Sequence, residues 1–479
     1  MEKHNFRQYI NGKLVQGKGK EIDVICPGNN EIAGYLKTAD AAQAVEALEA
    51  AEKAFPSWSR MSVDERGEWM LKLQNEIIKE QETLLQLLML ETGKLRIDAQ
   101  DEINNLINCF TFCLETAKGY YDETIRDQSG SCFNLMVREP LGVVVGYLAW
   151  NFPLHNVSAK IGPILASGCT AVLKPATKTP LSTLYVGELM ERIGFPAGVV
   201  NIVAGSASEL GAVLTESKIP AMISLIGSSE AGRKLIRDSA TSVKRFSLEL
   251  GGNAPFIVTP NACLDEAVDR CVGSQRYVAS QNCTGVQRVI VHESVYEEFM
   301  KKVLEQAKDV RCGTGDEPNC NMGPMITEAS VERMQDLVDD AVAKGGKIEF
   351  GGSRPADKEK GFYYLPTYIT GVTRDMRIFR EEIFGPICAI MTYKTMEEAI
   401  DIANDTEYGL TAYVWSHNAD EITKYARALR FGTISVNGGC DGVHMPHGGI
   451  KESGVGKDGG RWSMEEYYYA KGIRLRMQL

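Results

Sequence analysis

Between Leu141 and Asp238 the chain reads LGVVVGYL (141–148), TAVLK (170–174), GVVNIV (198–203) and AMISLI (221–226). Each run is followed by a helix-period segment: Asn156 to Ala166, Ser182 to Arg192, Ser208 to Glu216 and Ala231 to Asp238. Parallel strands covered on both faces need nearly continuous apolar sequence, and helices must carry the chain back between them. The alternation therefore predicts successive βαβ units and an open α/β domain.

Outward from that stretch, FIV (256–258), RVIVH (288–292) and ICAIMTY (387–393) predict a second α/β domain. The first hundred residues read as a helical opening, with a capping-box pattern at Ser62 and Glu65 ahead of an amphipathic run from Trp69 to Leu90. Between Tyr120 and Glu139 a polar stretch with a Ser-Gly pair predicts a projecting hairpin or loop.

The chain has 479 residues, too many for one ordinary hydrophobic core, so two or more domains are expected. A net charge of −11, with acidic residues scattered, offers no basic face to nucleic acid or anionic lipid. Neither partner is expected. The start, MEKHNFRQYINGK, has no apolar signal segment and Leu141 to Trp150 is too short to span a bilayer, so a cytoplasmic protein is expected. Twelve cysteines without a secretion signal read as reduced thiols, and no CxxC pair or nearby His cluster gives a metal pattern.

Four windows carry candidate chemistry. In YVASQNCTGVQRV, Cys283 sits among small and polar residues, as a nucleophilic thiol requires, although this window alone favours a structural cysteine. In KRFSLELGGNAPFIV, Glu249 lies within an apolar strand; desolvation would move it toward a useful general base, and a solvated strand-edge glutamate is the equal alternative. In YLAWNFPLHN, Asn151 is either a turn residue or an amide donor to an oxyanion. MISLIGSSEAGRKLI places a Gly-Ser-Ser turn before a helix, a weak phosphate signal that lacks the G-x-G-x-x-G fingerprint. Lys174 falls at the carboxyl end of a predicted parallel strand, where open sheets bind ligands.

In order along the chain, WNFP (150–153), KPA (174–176), GSSEAG (227–232), LELGG (248–252), the Q-x-C of Gln281 to Cys283, EEIFGP (381–386) and PHGGIKESGVGKDGG (446–460) resemble the aldehyde dehydrogenase superfamily. The resemblance covers essentially the whole chain and implies its NAD(P)+-dependent, hydrolytic branch. It implies that Cys283 attacks the aldehyde, that Asn151 and the Cys283 backbone N–H hold the oxyanion, and that Glu249 activates the water that hydrolyses a thioester. For NAD or NADP it implies contacts from Trp150, Lys174, Thr177, Gly205, Gly227, Ser228, Leu250, Glu382 and Phe384. It also implies an aldehyde dehydrogenase-like architecture: a Rossmann-like cofactor domain (1–119 and 141–249), an α/β catalytic domain (250–446), and a small β oligomerisation element (120–140 and 460–479) giving a homodimer or homotetramer.

Departures from the family pattern shape further expectations. Many NAD-preferring members have Glu where this chain has Thr177, so NADP should be accepted too. Ser280 replaces a usual glycine and His447 a commoner aromatic. Ala159 and Tyr277 stand where succinate-semialdehyde members carry arginines, which counts against that substrate. His155, Tyr277, Asp441 and His444 are expected to line a polar funnel for a small polar or anionic aldehyde.

Three alternatives compete. A coenzyme A-acylating relative would typically lack Glu249, a silent binding protein would not need Cys283, Glu249, Asn151, Lys174 and Glu382 together, and a thiol hydrolase would need a histidine that no local cysteine signature supplies. The sequence thus presents the thiol as unpaired.

Overall fold

The computed structural model describes residues 5–439 and 442–476. Its first large sheet has eight strands, ordered Gly454–Val455, Arg245–Glu249, Pro220–Ile226, Val143–Tyr147, Thr170–Lys174, Val200–Ile202, Gln8–Ile10 and Lys13–Val15. The five from Arg245–Glu249 to Val200–Ile202 run parallel, Gly454–Val455 and Gln8–Ile10 are antiparallel to them, and Lys13–Val15 pairs antiparallel with Gln8–Ile10. The apolar runs of the sequence are these strands: Val143–Tyr147 and Thr170–Lys174 are almost wholly buried, as strands covered by helices on both faces must be.

In chain order the parallel strands lie 5-4-1-2-3, so the direction of winding reverses between Val143–Tyr147 and Pro220–Ile226. This is the doubly wound arrangement, with its ligand crevice at the carboxyl ends beside the switch. The helices Pro153–Ser167, Leu181–Arg192, Ala212–Glu216 and Ser229–Asp238 are its crossovers.

A second sheet of seven strands, ordered Lys347–Phe350, Thr367–Thr370, Ile387–Tyr393, Val286–His292, Ala254–Val258, Thr411–Trp415 and Thr433–Val436, is parallel except at its Lys347–Phe350 edge. Its core includes Phe256, Val289, Ile290 and Tyr413, all fully buried. A third sheet pairs Cys132–Pro140 with Glu123–Arg126 on one side and Tyr468–Arg476 on the other, so the stretch after Tyr120 is indeed a hairpin.

Two sequence expectations need correction. The opening is not simply helical: five short strands precede the first helix, Ala41–Trp58, and two of them extend the first sheet. Short, half-exposed strands carry too few apolar residues to stand out. The run from Trp69 to Leu90 is not one helix either. Ser62 caps Val63–Lys79 in a full capping box, Glu80 leaves helical geometry, and a second helix spans Gln81–Thr92. Apolar periodicity crosses the break because both helices bury leucines in the same core.

Candidate active site

The carboxyl ends of the first sheet face the amino ends of the second. After Val143–Tyr147 come Trp150 and Asn151; Lys174 ends its strand; Gly205 follows Val200–Ile202; Gly227 and Ser228 follow Pro220–Ile226; Glu249 ends its strand and Leu250 follows. From the other side, Cys283 precedes Val286–His292, while Glu382 and Phe384 precede Ile387–Tyr393.

The two glycines of LELGG allow these halves to meet. A side chain at Gly251 would collide with the Glu382 carboxylate, and one at Gly252 with the Cys283 carbonyl. The Gly252 N–H donates to Glu382 Oε1 at 2.8 Å. Burial pushes the Glu382 carboxyl up to about 7, against the lowering effect of that hydrogen bond. Its segment is fixed by Gln287, whose Oε1 accepts from Ile383 N at 2.8 Å, and by Arg333, which donates to the Glu382 and Ile383 carbonyls at 2.8 and 2.6 Å.

Cys283 follows a left-handed turn in which Val278, Ala279 and Ser280 have φ of +50°, +50° and +55°. Such geometry costs about 1–2 kcal/mol per non-glycine residue and persists only when surroundings enforce it. Gln281 supplies the enforcement: its amide donates to the Val278 and Pro324 carbonyls at 3.0 and 3.1 Å and accepts from Ile326 N at 2.9 Å. Its carbonyl accepts from Asn151 Nδ2 at 3.1 Å, which aims the buried Asn151 amide at the cysteine loop. The second Nδ2 hydrogen remains available to an oxyanion.

Glu249 is buried at its strand end, paired across to Ile226 and Gly454. Its Oε1 lies 3.0 Å from His447 Nε2, and the same nitrogen lies 3.7 Å from Cys283 Sγ. The three atoms are all within 4.8 Å of one another. The thiol is therefore not unpaired, contrary to the sequence expectation: a histidine 164 residues away supplies the partner. Burial, then the Glu249 and Glu382 carboxylates, push the Cys283 thiol well above its ordinary range. Burial opposes charge on His447, but the hydrogen bond and charge of Glu249 outweigh it and raise its pKa.

The motif 446–460 is threaded through the site. Gly454–Val455 adds an antiparallel strand beside Glu249, Ser453 Oγ donates to the Gly251 carbonyl at 2.6 Å, and Leu250 N donates to the Ser453 carbonyl at 3.1 Å. Gln281, Gln287, Arg333, His447, Ser453 and Asp458 were not singled out from sequence for these structural contacts. Gln281, Ser453 and Asp458 lie within the motif blocks and Gln287 near one, His447 stood out only as a departure, and nothing in the sequence pointed to Arg333.

On the dinucleotide side, Trp150 and Phe384 meet edge to face at 5.5 Å between ring centroids, with Phe384 at φ +52°. Among the described residues, the nearly buried Lys174 ammonium reaches only the Pro175 carbonyl, at 3.4 Å, and burial holds it down to about 8. An ammonium so poorly partnered fits added hydroxyl acceptors such as those of a ribose. Thr177 Oγ1 donates to the Gly205 carbonyl at 3.2 Å. Ser228 caps the Ser229–Asp238 helix by accepting from Ala231 N at 3.2 Å, which leaves its O–H free to donate outward. Gly227 N is already committed to the Glu249 carbonyl at 3.0 Å.

Of the substrate-side candidates, His155 and Tyr277 converge on Phe152, at 6.2 and 5.7 Å between centroids. Burial presses His155 down to about 4, leaving it neutral at pH 7. His444 sits on an exposed turn with its ring against Gly442. Asp441 lies outside the described residues.

Comparison with known proteins agrees with this architecture. Residues 14–473 match the model of the aldehyde dehydrogenase family. A non-phosphorylating aspartate-semialdehyde dehydrogenase of Halomonas elongata is 38% identical over 97% of this chain and 95% of its own. The NADP(+) succinate-semialdehyde dehydrogenase of Escherichia coli is 35% identical over 97% of both chains. The crystal structure of Staphylococcus aureus betaine aldehyde dehydrogenase with NAD+ superposes with a TM-score of 0.95 at 34% identity, covering 99% of this chain and 96% of that one. The chain belongs to the aldehyde dehydrogenase family, and its class is that of NAD(P)+-dependent aldehyde dehydrogenases. Among the described residues no helix is long and apolar enough to cross a membrane.

Proposed function

We propose that this protein oxidises a small polar or anionic aldehyde to the carboxylic acid with NAD+ or NADP+, through a thioester on Cys283 that is hydrolysed by water activated by Glu249. The observation that carries the proposal is the approach of the Glu249 carboxylate and the Cys283 thiol to within 4.8 Å, with His447 completing the group.

The sulfur attacks the aldehyde carbon, and the second Asn151 N–H with the Cys283 backbone N–H stabilises the oxygen as it becomes negative. A dinucleotide, when bound, would supply the hydride acceptor. Trp150, Lys174, Thr177, Gly205, Gly227, Ser228, Leu250, Glu382 and Phe384 would hold it, the switch-point crevice and the under-partnered Lys174 being the features that fit. Glu249 then takes a proton from water as that water attacks the acyl carbon; the C–S bond breaks and the electron pair returns to sulfur.

Position 177 offers no carboxylate to repel a 2′-phosphate and Lys178 stands beside it, which supports acceptance of both nucleotides. His155 and Tyr277 pack against Phe152, and relatives are named for aspartate, glutarate and succinate semialdehydes, all with anionic tails, which supports a small polar or anionic substrate. We assign 1–119 and 141–249 to cofactor binding and 250–446 to catalysis. The 120–140 and 460–479 segments fit an oligomerisation element forming a homodimer or homotetramer, because Ile125, Phe133 and Leu475 of that sheet are exposed.

An aldehyde panel run with NAD+ and NADP+ tests the proposal. Reduced nucleotide should form without any added thiol. Strict dependence on coenzyme A would overturn hydrolysis in favour of acyl transfer, and no turnover across the panel would overturn the enzyme reading.

A further inference from the structure

The resemblance leads to the expectation of an aromatic residue at position 447, and a phenylalanine or tryptophan there could pack but not accept a proton. In this chain the position is histidine, and its Nε2 faces Glu249 Oε1 at 3.0 Å and Cys283 Sγ at 3.7 Å. We propose that His447 is a catalytic residue that accepts the Cys283 thiol proton, so that the nucleophile is an imidazolium-thiolate pair held by Glu249. The inference rests on the proposed role of Cys283.

The proton balance is simple. The S–H bond breaks, the proton joins Nε2, and sulfur keeps the electron pair. The step requires neutral His447 to carry its hydrogen on Nδ1, with the Nε2 lone pair turned to the thiol; once Nε2 is protonated, its N–H is shared between the Glu249 carboxylate and the thiolate. When sulfur attacks the aldehyde carbon, negative charge passes to the carbonyl oxygen. When the acyl group leaves, thiolate and imidazolium are restored.

The surroundings require such a partner. Cys283 is desolvated beside the Glu249 and Glu382 carboxylates, so a lone thiolate would be a third clustered negative charge. His447 turns that cluster into alternating charges. The other groups facing it are His155 from the Pro153–Ser167 helix and, on its own segment, Asp458 and Lys457. Lys160 Nζ from the same helix neutralises Asp458 at 2.6 and 2.7 Å.

The ring is also firmly placed. His447 and Asp458 exchange backbone hydrogen bonds, each 2.6 Å, and the buried Lys160–Asp458 pair anchors that bridge to the helix. Lys457 Nζ donates to the Gly448 carbonyl at 2.8 Å. A side chain that only filled space would not need a nitrogen directed at two reacting groups.

The test is the pH dependence of Cys283 alkylation by iodoacetamide, read by peptide mass spectrometry on the full-length protein, for the wild type, His447→Phe and His447→Gln. Phe is an aromatic of the kind usual in the motif, and Gln keeps a donor without titrating. Both variants should lose the low-pH alkylation limb, with the midpoint at least about one pH unit higher and the rate near pH 6.5 at least about tenfold lower. Imidazole added to His447→Ala should restore part of that limb. Superimposable profiles for wild type and both variants would overturn the inference. If alkylation of Cys283 left aldehyde turnover intact, the proposed function itself would fail; if it abolished turnover while the profile ignored His447, only the inference would.

Discussion

The two faces of the active site are built by opposite means. On the first sheet, Trp150, Lys174, Gly205, Ser228 and Glu249 stand at or just beyond the ends of regular strands, and the positions follow from the winding of the sheet. On the second sheet, Cys283 and Phe384 come from contorted loops: three consecutive left-handed residues precede the cysteine, and Phe384 is itself left-handed. Regular geometry suffices to present hydrogen-bond donors to a dinucleotide. Presenting a thiol to a carboxylate and an imidazole demands a backbone that neither strand nor helix provides, so Gln281 holds the cysteine loop by hydrogen bonds, as Gln287 and Arg333 hold the loop that leads to Phe384.

That contrast can be broken at its strongest point first. Cys283→Ala should lower aldehyde oxidation by at least about ten-thousand-fold while leaving dinucleotide affinity within a few-fold, as steady-state assays and fluorescence titration would show. A parallel loss of both would mean that the two faces are not separable. Asn151→Ala comes next, since it removes the proposed oxyanion donor and a tie to the Gln281 carbonyl. Its kcat should fall about 100- to 1,000-fold.

The proposed dinucleotide contacts, drawn from both sheets, should respond to pH instead. Glu382, raised to about 7, is the better acceptor when ionised, and Lys174, lowered to about 8, donates fully only when protonated. The apparent KM for the dinucleotide should be lowest between pH 7 and 8, rising by up to about tenfold per unit below that window as Glu382 takes a proton and above it as Lys174 loses one. Glu382→Gln should remove the acid limb only; a limb that survives would mean another group sets it.

The smallest effect concerns strain. Ser280 has φ +55° and its buried Oγ has no hydrogen-bond partner among the described residues. Ser280→Gly should raise stability by about 1 kcal/mol, measured by denaturant unfolding, because glycine reaches this conformation without a Cβ penalty. Destabilisation would mean that the loop is not under strain.

These differences also explain what the sequence made legible. The five parallel strands were readable because burial on both faces writes a continuous apolar run, and the residues at their ends followed with them. Cys283 and Glu249 were each ambiguous alone and were resolved by the order of the motifs around them. His447 was visible only as a departure from a motif, because 198 residues separate it from Glu249 and its partners are set by tertiary contact. The left-handed turn at Val278, Ala279 and Ser280 contradicts local preference, and is held by hydrogen bonds of Gln281 to the loop residues Pro324 and Ile326, 43 and 45 residues along the chain. The short strands of the first 37 residues were hidden for a simpler reason: they are too brief to leave an apolar period, and all but the buried Gln8–Ile10 are partly exposed.

The division of labour between Cys283 and Glu249 is tested most directly by intact-mass spectrometry of Glu249→Gln mixed with aldehyde and dinucleotide. The account predicts one acyl group covalently bound to Cys283, a burst of reduced nucleotide close to one per active site, and steady turnover reduced by about 100- to 10,000-fold. Normal steady turnover with no adduct would contradict it.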